Sequence, residues 1–298
     1  MVSWEQDFDF YMAQIEDQPA SFVIDLAAAG QAPLPTHPLL LSIRVPMLRP
    51  RADGLRDASE LDELGALEDQ FVEALATKVD AAYVGRTVHA GATTLYLYVP
   101  EAHRDALDDL PGLTGAPPGD YQPEWGVVDD PAWDQYLTFL APDEYAHQSI
   151  WNRRLLKIFS EDGDQLDVAR EIDHMAFFPT KEAADQAAAA LAASGFRVDP
   201  PTSREQEAAA DAAAADADAD TADADEDDDE NAEGEGADDD GGEDDPDEER
   251  WALQFHRDDV LADGRPDEFV AEILDIILPL DGTYDGWGAE QRRPEEPS

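Results

Sequence analysis

Six histidines are the first residues to weigh for chemistry, and they stand singly: His37, His89, His103, His147, His174 and His256. A general base or a zinc site needs a second group within hydrogen-bond reach or at ligand spacing. No H-E-x-x-H, G-x-S-x-G, P-loop or G-x-G-x-x-G string supplies one. A single strand histidine is more often a hydrogen-bonded core group than a site, and the one cross-strand pairing left open is His174 with His256. Carboxylates are so abundant that pairs of them say nothing about acid–base work. The chain has no Cys, which removes disulfides, zinc–thiolate sites and thiol nucleophiles together. The Asp-Ala-Asp-Ala run at Asp216–Asp225 lacks the Gly and terminal Glu of an EF-hand loop, so diffuse cation association is expected in place of a calcium site. No catalytic residue, cofactor or specific metal is expected on these grounds. The most distinctive candidate is Tyr284-Asp285-Gly286-Trp287, two aromatics flanking an Asp-Gly turn signal. Trp287 can close a core, or the pair can anchor a protein partner, since Tyr and Trp are enriched in binding hot spots. Tyr284, Asp285, Trp287 and His174 are therefore the candidate protein-binding residues.

The elements that must position these residues fall into two α+β domains. In the first, residues 1–141, Ser21–Asp25 and Leu39–Val45 are β-type runs, and Asp57 to Val79 is a helix with Leu64, Leu67, Phe71, Leu75 and Val79 as its apolar stripe. Tyr83–Ala90 and Thr93–Val99 form a hairpin around Gly91, with Leu95, Leu97 and Val99 on one face and Tyr96 and Tyr98 on the other. After a Pro/Gly stretch and a strand near Trp125–Val128, Asp130-Pro131 starts a helix that places Trp133, Leu137 and Leu140 together. Residues 142–169 are a connector, whose helix sets Trp151, Leu155 and Ile158 on one side and Arg153, Arg154 and Lys157 among its polar positions. The second domain, residues 170–292, opens with Glu171–Phe178, where Ile172, His174, Ala176 and Phe178 share a face. A helix from Thr180 to Ser194 follows, then Phe196–Val198, then a strand over Trp251–His256. A helix from Pro266 with Phe269, Ile273 and Ile276 inward comes next, and Tyr284–Gly288 is a last strand or turn. The order strand, helix, strand, strand, helix, strand is that of a ferredoxin-like (βαββαβ) two-layer sandwich.

Charge decides which partners are admissible. The chain carries 71 acidic and 19 basic residues for a net −52, and Glu205–Glu249 alone holds 24 carboxylates and no Lys or Arg, leaving −28 elsewhere. Such composition cannot bury enough apolar surface to offset ordering entropy, so residues 205–249 are expected to be a disordered insert. A field of this sign repels nucleic-acid backbones and anionic membranes and attracts Arg-rich protein segments, polyamines or metal cations. The N-terminus lacks a basic region followed by an apolar one, and no run approaches about 20 apolar residues, so a cytoplasmic address is expected.

Four strings in order, Glu161-Asp162-Gly163-Asp164, Glu171-Ile172-Asp173-His174, Gly195-Phe196-Arg197-Val198 and Tyr284-Asp285-Gly286-Trp287-Gly288, resemble the RraB family, regulators of ribonuclease E, over Ser149 to Gln291. That resemblance implies a non-enzymatic ferredoxin-like protein that binds the scaffold region of ribonuclease E and restrains RNA cleavage. The long acidic insert departs from the family, whose founding members also lack the N-terminal domain. Val84-Gly85-Arg86-Thr87, the Tyr96/Tyr98 strand and Asp130-Pro131-Ala132-Trp133 with Tyr136 resemble the bacterial domain of unknown function number 695. Its activity is not implied by the resemblance. The two domains occur fused in that group. The expected function is a regulator that docks on a ribonuclease E-like enzyme or another Arg-rich segment. The alternative is a carboxylate- or His-dependent hydrolase, with His89 a candidate, or a ligand-binding activity in the N-terminal domain.

Overall fold

The structure is a computed structural model that describes residues 4–203 and 250–293, so the expected insert lies outside the described residues. The chain divides into two units, Met1–Ile150 and Trp151–Ser298.

In the first unit, period-two sequences form a six-stranded antiparallel sheet. Its strands are β1 (Phe8–Ile15), β2 (Gln18–Asp25), β3 (Leu39–Pro46), β4 (Ala82–His89), β5 (Ala92–Val99) and β6 (Glu124–Asp129), in the order β1-β2-β4-β5-β3-β6. The central strands are buried on both faces. Leu41, Ile43, Leu95 and Leu97 meet Leu64, Leu67, Phe71 and Leu75 of helix α1 (Leu61–Val79). Leu40, Tyr96 and Tyr98 meet Trp133, Tyr136 and Leu140 on the other side. The two differently occupied faces of β5 follow the Leu/Tyr alternation read from sequence. Strand β1 is an addition to that reading: its acidic, aromatic run buries Tyr11 but exposes Phe8, Phe10 and Met12. The Pro/Gly stretch also carries a short helix, α2 (Leu110–Thr114).

Two local expectations shift. Trp133 sits in left-handed backbone (φ 58°), and the helical turns after it, Gln135–Leu140, are wide, with Ala141 N donating to Tyr136 O at 2.8 Å. Ordinary helical spacing from Trp133 therefore fails, and Tyr136 is buried while Leu137 is 40% exposed. In helix α3 (Glu144–Glu161), Trp151 and Ile158 are exposed, and Ile150, Asn152 and Phe159 are buried instead. The Arg154 guanidinium lies 5.2 Å from the centre of the Trp151 ring, a cation–π contact.

The second unit runs β7 (Arg170–Phe178), α4 (Lys181–Ala193), β8 (Arg197–Val198), β9 (Thr202–Ser203), β10 (Trp251–Asp259), α5 (Arg265–Ile277) and β11 (Thr283–Ala289). The sheet order is β11-β7-β10-β8, antiparallel throughout, with β9 also pairing β10. Thr180 caps α4 by accepting from Ala183 N at 3.2 Å. The helices pack on one face, burying Leu191, Phe269, Ile273 and Leu274 against Ile172, Ala176, Leu253 and Phe255. The α5 stripe ends at Ile277, which is fully buried, and Ile276 is only half-buried. Among the described residues no helix is long and apolar enough to cross a membrane.

Residues 204–249 join strands that are already neighbours, because Ser203 and Trp251 face one another in the β9–β10 register. Replacing that segment with a turn of about four residues should therefore preserve one cooperative urea transition, with its midpoint little changed. A broad or non-cooperative transition would show that the segment supports the fold.

Candidate functional site

The string Tyr284-Asp285-Gly286-Trp287 lies on β11 against β7. Tyr284 faces Ala176 and Trp287 faces His174, and the register slips between Tyr284 and Gly286, where Gly286 has φ 126°. This is a β-bulge, in which one strand gains a residue. Without it, residues three apart would point to opposite faces; with it, Tyr284 and Trp287 both turn toward the helices, and Asp285 is left exposed.

Burial decides what these side chains do. Tyr284 and His174 are each 2% exposed, and Tyr284 Oη lies 2.8 Å from His174 Nδ1. The imidazole stacks on Phe255 and meets Phe196 and Phe269 edge-on. Burial, reinforced by the nearby Arg257 charge, lowers the His174 pKa to about 3, so the ring is neutral. Trp287 Nε1 donates to Asn152 Oδ1 at 2.6 Å, and Asn152 Nδ2 donates to Asp267 Oδ1 at 2.8 Å, tying α3, α5 and β11 together. As surface anchors, then, Tyr284 and His174 are corrected: both belong to the core. His174 does not pair with His256 either. It faces Phe255, and His256 faces Asp173 on the opposite side of the sheet.

The Glu161-Asp162-Gly163-Asp164 string also serves the fold, through Asp164. Asp164 Oδ2 accepts from Arg170 Nη1 and from Arg292 N, both at 2.7 Å. Burial raises the Asp164 pKa, but these bonds outweigh it and hold the carboxyl below its ordinary value. What remains accessible is the sheet face away from the helices. There β7 presents Glu171 and Asp173 with half-buried Met175 and Phe177, and β10 presents Gln254, His256 and Asp258. Partial burial pulls the His256 pKa down, but hydrogen bonds to Asp173 and Asp199 raise it overall.

The first unit repeats the bulge device. The β4–β5 register slips between Tyr83 and Gly85. A Cβ on Gly85 would lie 2.3 Å from Val23 O. The extra residue turns Tyr83 and Arg86 to the α1 side, where Glu68 accepts from Tyr83 Oη at 2.7 Å and Arg86 Nη1 at 2.5 Å. Arg56 Nη2 reaches the same carboxylate at 3.4 Å, and burial together with the Arg86 charge lowers the Arg56 pKa. Asp130 accepts from Tyr98 Oη at 2.6 Å and from Asp134 N and Gln135 N, and Trp133 stacks on Tyr98 at 3.9 Å. Buried Asp25 and Glu60 likewise accept main-chain N–H groups. His89 turns Nε2 to the Ile15 carbonyl at 3.1 Å. An open groove of about 610 Å³ runs beside β1, lined by Tyr11, Phe22, Phe139, Asp143 and Tyr145 among others.

Comparison with known proteins agrees with both resemblances. Residues 6–141 match the model of a family of unknown function, DUF695, and residues 149–219 match that of the family described as regulator of ribonuclease activity B. The second match stops short of the Tyr284 string. The comparison with curated proteins gives no match. A crystal structure of an unknown protein from Galdieria sulphuraria aligns over 85% of this chain and 97% of its own at 9% identity, with a TM-score of 0.19, a likeness that carries no argument.

Two predictions follow from this geometry. Gly85→Ala meets both the Val23 carbonyl and an unfavourable φ of 148°, so urea unfolding should show a loss of about 2–4 kcal/mol. For His174 the unfolded chain takes up a proton below pH 6.5 while the native ring stays neutral to about pH 3, so stability is lost as pH falls through that window. Relative to His174→Gln, the wild type should lose about 2 kcal/mol between pH 6.5 and about 5, read from paired urea melts. Parallel pH dependences in the two proteins would contradict a neutral buried imidazole.

Proposed function

We propose that the chain is a non-enzymatic regulator that binds a ribonuclease E-like enzyme, or the Arg-rich scaffold segment attached to it, and restrains RNA cleavage. The match of residues 149–219 to the family described as regulator of ribonuclease activity B carries the reading. The strand order β11-β7-β10-β8, with its helices packed on one face, suits the ferredoxin-like βαββαβ sandwich that the family resemblance implies. The open face is acidic and edged with apolar surface, through Glu171, Asp173, Asp258, Met175 and Phe177. An Arg-rich segment laid across it gains charge complementarity and releases the RNA it would otherwise hold, with no bond broken. This reading places the protein in the cytoplasm with the RNA-decay machinery. It also treats the first unit as a binding module, consistent with buried carboxylates committed to main-chain N–H groups.

Because Tyr284 is core and Trp287 is tied to Asn152, truncating them tests folding more than docking. The informative variant reverses exposed charge, Asp258→Lys with Asp285→Lys. Titrating the host's ribonuclease E-like scaffold segment should give binding at least ~10-fold weaker at ~500 mM than at ~50 mM salt, and weaker again for the double variant. Affinity indifferent to both salt and charge reversal would defeat the electrostatic reading.

A further inference from the structure

The open face of the second sheet holds a group of side chains that the core does not use. Glu171 and Asp173 stand two residues apart on β7, so strand alternation turns both to this face. His256 lies directly across from Asp173 on β10. One ligand atom from each of the three lies within 4.8 Å of the others. The imidazole is held in place: its side chain is 16% exposed, Nδ1 lies 2.6 Å from Asp173 Oδ1, and Nε2 lies 3.2 Å from Asp199 Oδ2. Asp199 follows β8 and is outside the converging trio. It engages the far nitrogen of the ring, as carboxylates behind metal-bound histidines do when they set the tautomer and raise the basicity of the ligand nitrogen.

We propose that Glu171, Asp173 and His256 form a binding site for a divalent transition-metal ion of the Zn²⁺ class. His256 Nδ1 and one oxygen from each carboxylate are the ligands, and Asp199 is the positioning residue behind the imidazole. Arg197 pairs with Glu171, and the three carboxylates of Glu171, Asp173 and Asp199 outnumber that one fixed cation, so the local charge draws a divalent ion to this face. A mixed nitrogen and oxygen donor set selects Zn²⁺ over Mg²⁺ and Ca²⁺, which take oxygen ligands. Three protein ligands leave a fourth tetrahedral position for water. The site escapes sequence inspection because Asp173 and His256 are 83 residues apart and meet only through the β7–β10 register.

The 24 carboxylates of Glu205–Glu249 attract cations diffusely, and the test must separate that background. Zn²⁺ is titrated calorimetrically into the full chain with Mg²⁺ in excess, for the wild type, His256→Gln, Asp173→Asn and Asp199→Asn. The wild type should show one stoichiometric site above the weak background. Losing the His256 or Asp173 ligand should weaken it by at least ~10-fold, and losing Asp199 by about 10-fold. In the unaltered protein, the His256 ring-nitrogen resonances should shift on adding Zn²⁺ and stay put with Mg²⁺ alone, a readout independent of how well any variant folds. Superimposable isotherms for all four proteins, or His256 resonances unmoved at saturating Zn²⁺, would overturn the site.

Discussion

In a β-strand consecutive side chains point to opposite faces, so two residues three apart cannot share a face unless the strand gains a residue. Each unit of this chain depends on breaking that rule once. At Gly85 the extra residue lets Tyr83 and Arg86 converge on Glu68 of α1. At Gly286 it lets Tyr284 and Trp287 both face the helices, one bonded to His174 and the other to Asn152. Positive φ at both positions explains the glycines, and at Gly85 the Val23 carbonyl leaves no room for a Cβ. The two family-like strings, Val-Gly-Arg-Thr and Tyr-Asp-Gly-Trp, are thus sheet-to-helix fasteners before they are anything else.

Acidity is arranged by depth. Carboxylates inside the units are matched locally: Asp25 and Glu60 by main-chain N–H groups, Asp164 by Arg170, and Glu68 by two arginines and a tyrosine. Such groups are costly to bury, and hydrogen bonds and ion pairs offset that cost, although Asp164 Oδ1 stays without a hydrogen-bond partner. Exposed carboxylates such as Asp258 and Asp285 add to the acidity at the surface, and 24 more lie in the sequence between β9 and β10. A strongly negative field there steers cationic partners and ions toward the protein. The ribonuclease reading and the Zn²⁺ site draw on that same field at the same sheet face.

Amphipathic periodicity made most of the scaffold legible. The α1 stripe from Leu64 to Val79, the Leu/Tyr alternation of β5, the inward set Ile172, His174, Ala176 and Phe178, and the Thr180 cap all stand where spacing puts them. Spacing misled where backbone geometry departed from a regular element. The left-handed Trp133 and the wide turns after it moved burial from Leu137 to Tyr136. The regular helix α3 misled in another way: it buries the polar Asn152, with Phe159, in place of Trp151 and Ile158. Strand β1 hides the usual alternation because its exposed Phe8, Phe10 and Met12 are apolar while Asp9 lies between them.

By itself, the sequence determined the class of the protein. Absence of Cys, the charge of −52, the helix and strand periods, and two sets of short strings together point to an acidic two-domain α+β chain with regulator-like features. Only the tertiary structure decided the fate of individual side chains. Tyr284 and His174 had the composition of an interface anchor, yet the bulge at Gly286 and the β7 register sent them into the core. His256 stood alone in the chain, yet strand pairing set it against Asp173 with Glu171 beside it. The physical reason is the same in both cases: which face a strand residue occupies, and what stands across from it, is fixed by register between segments distant in sequence.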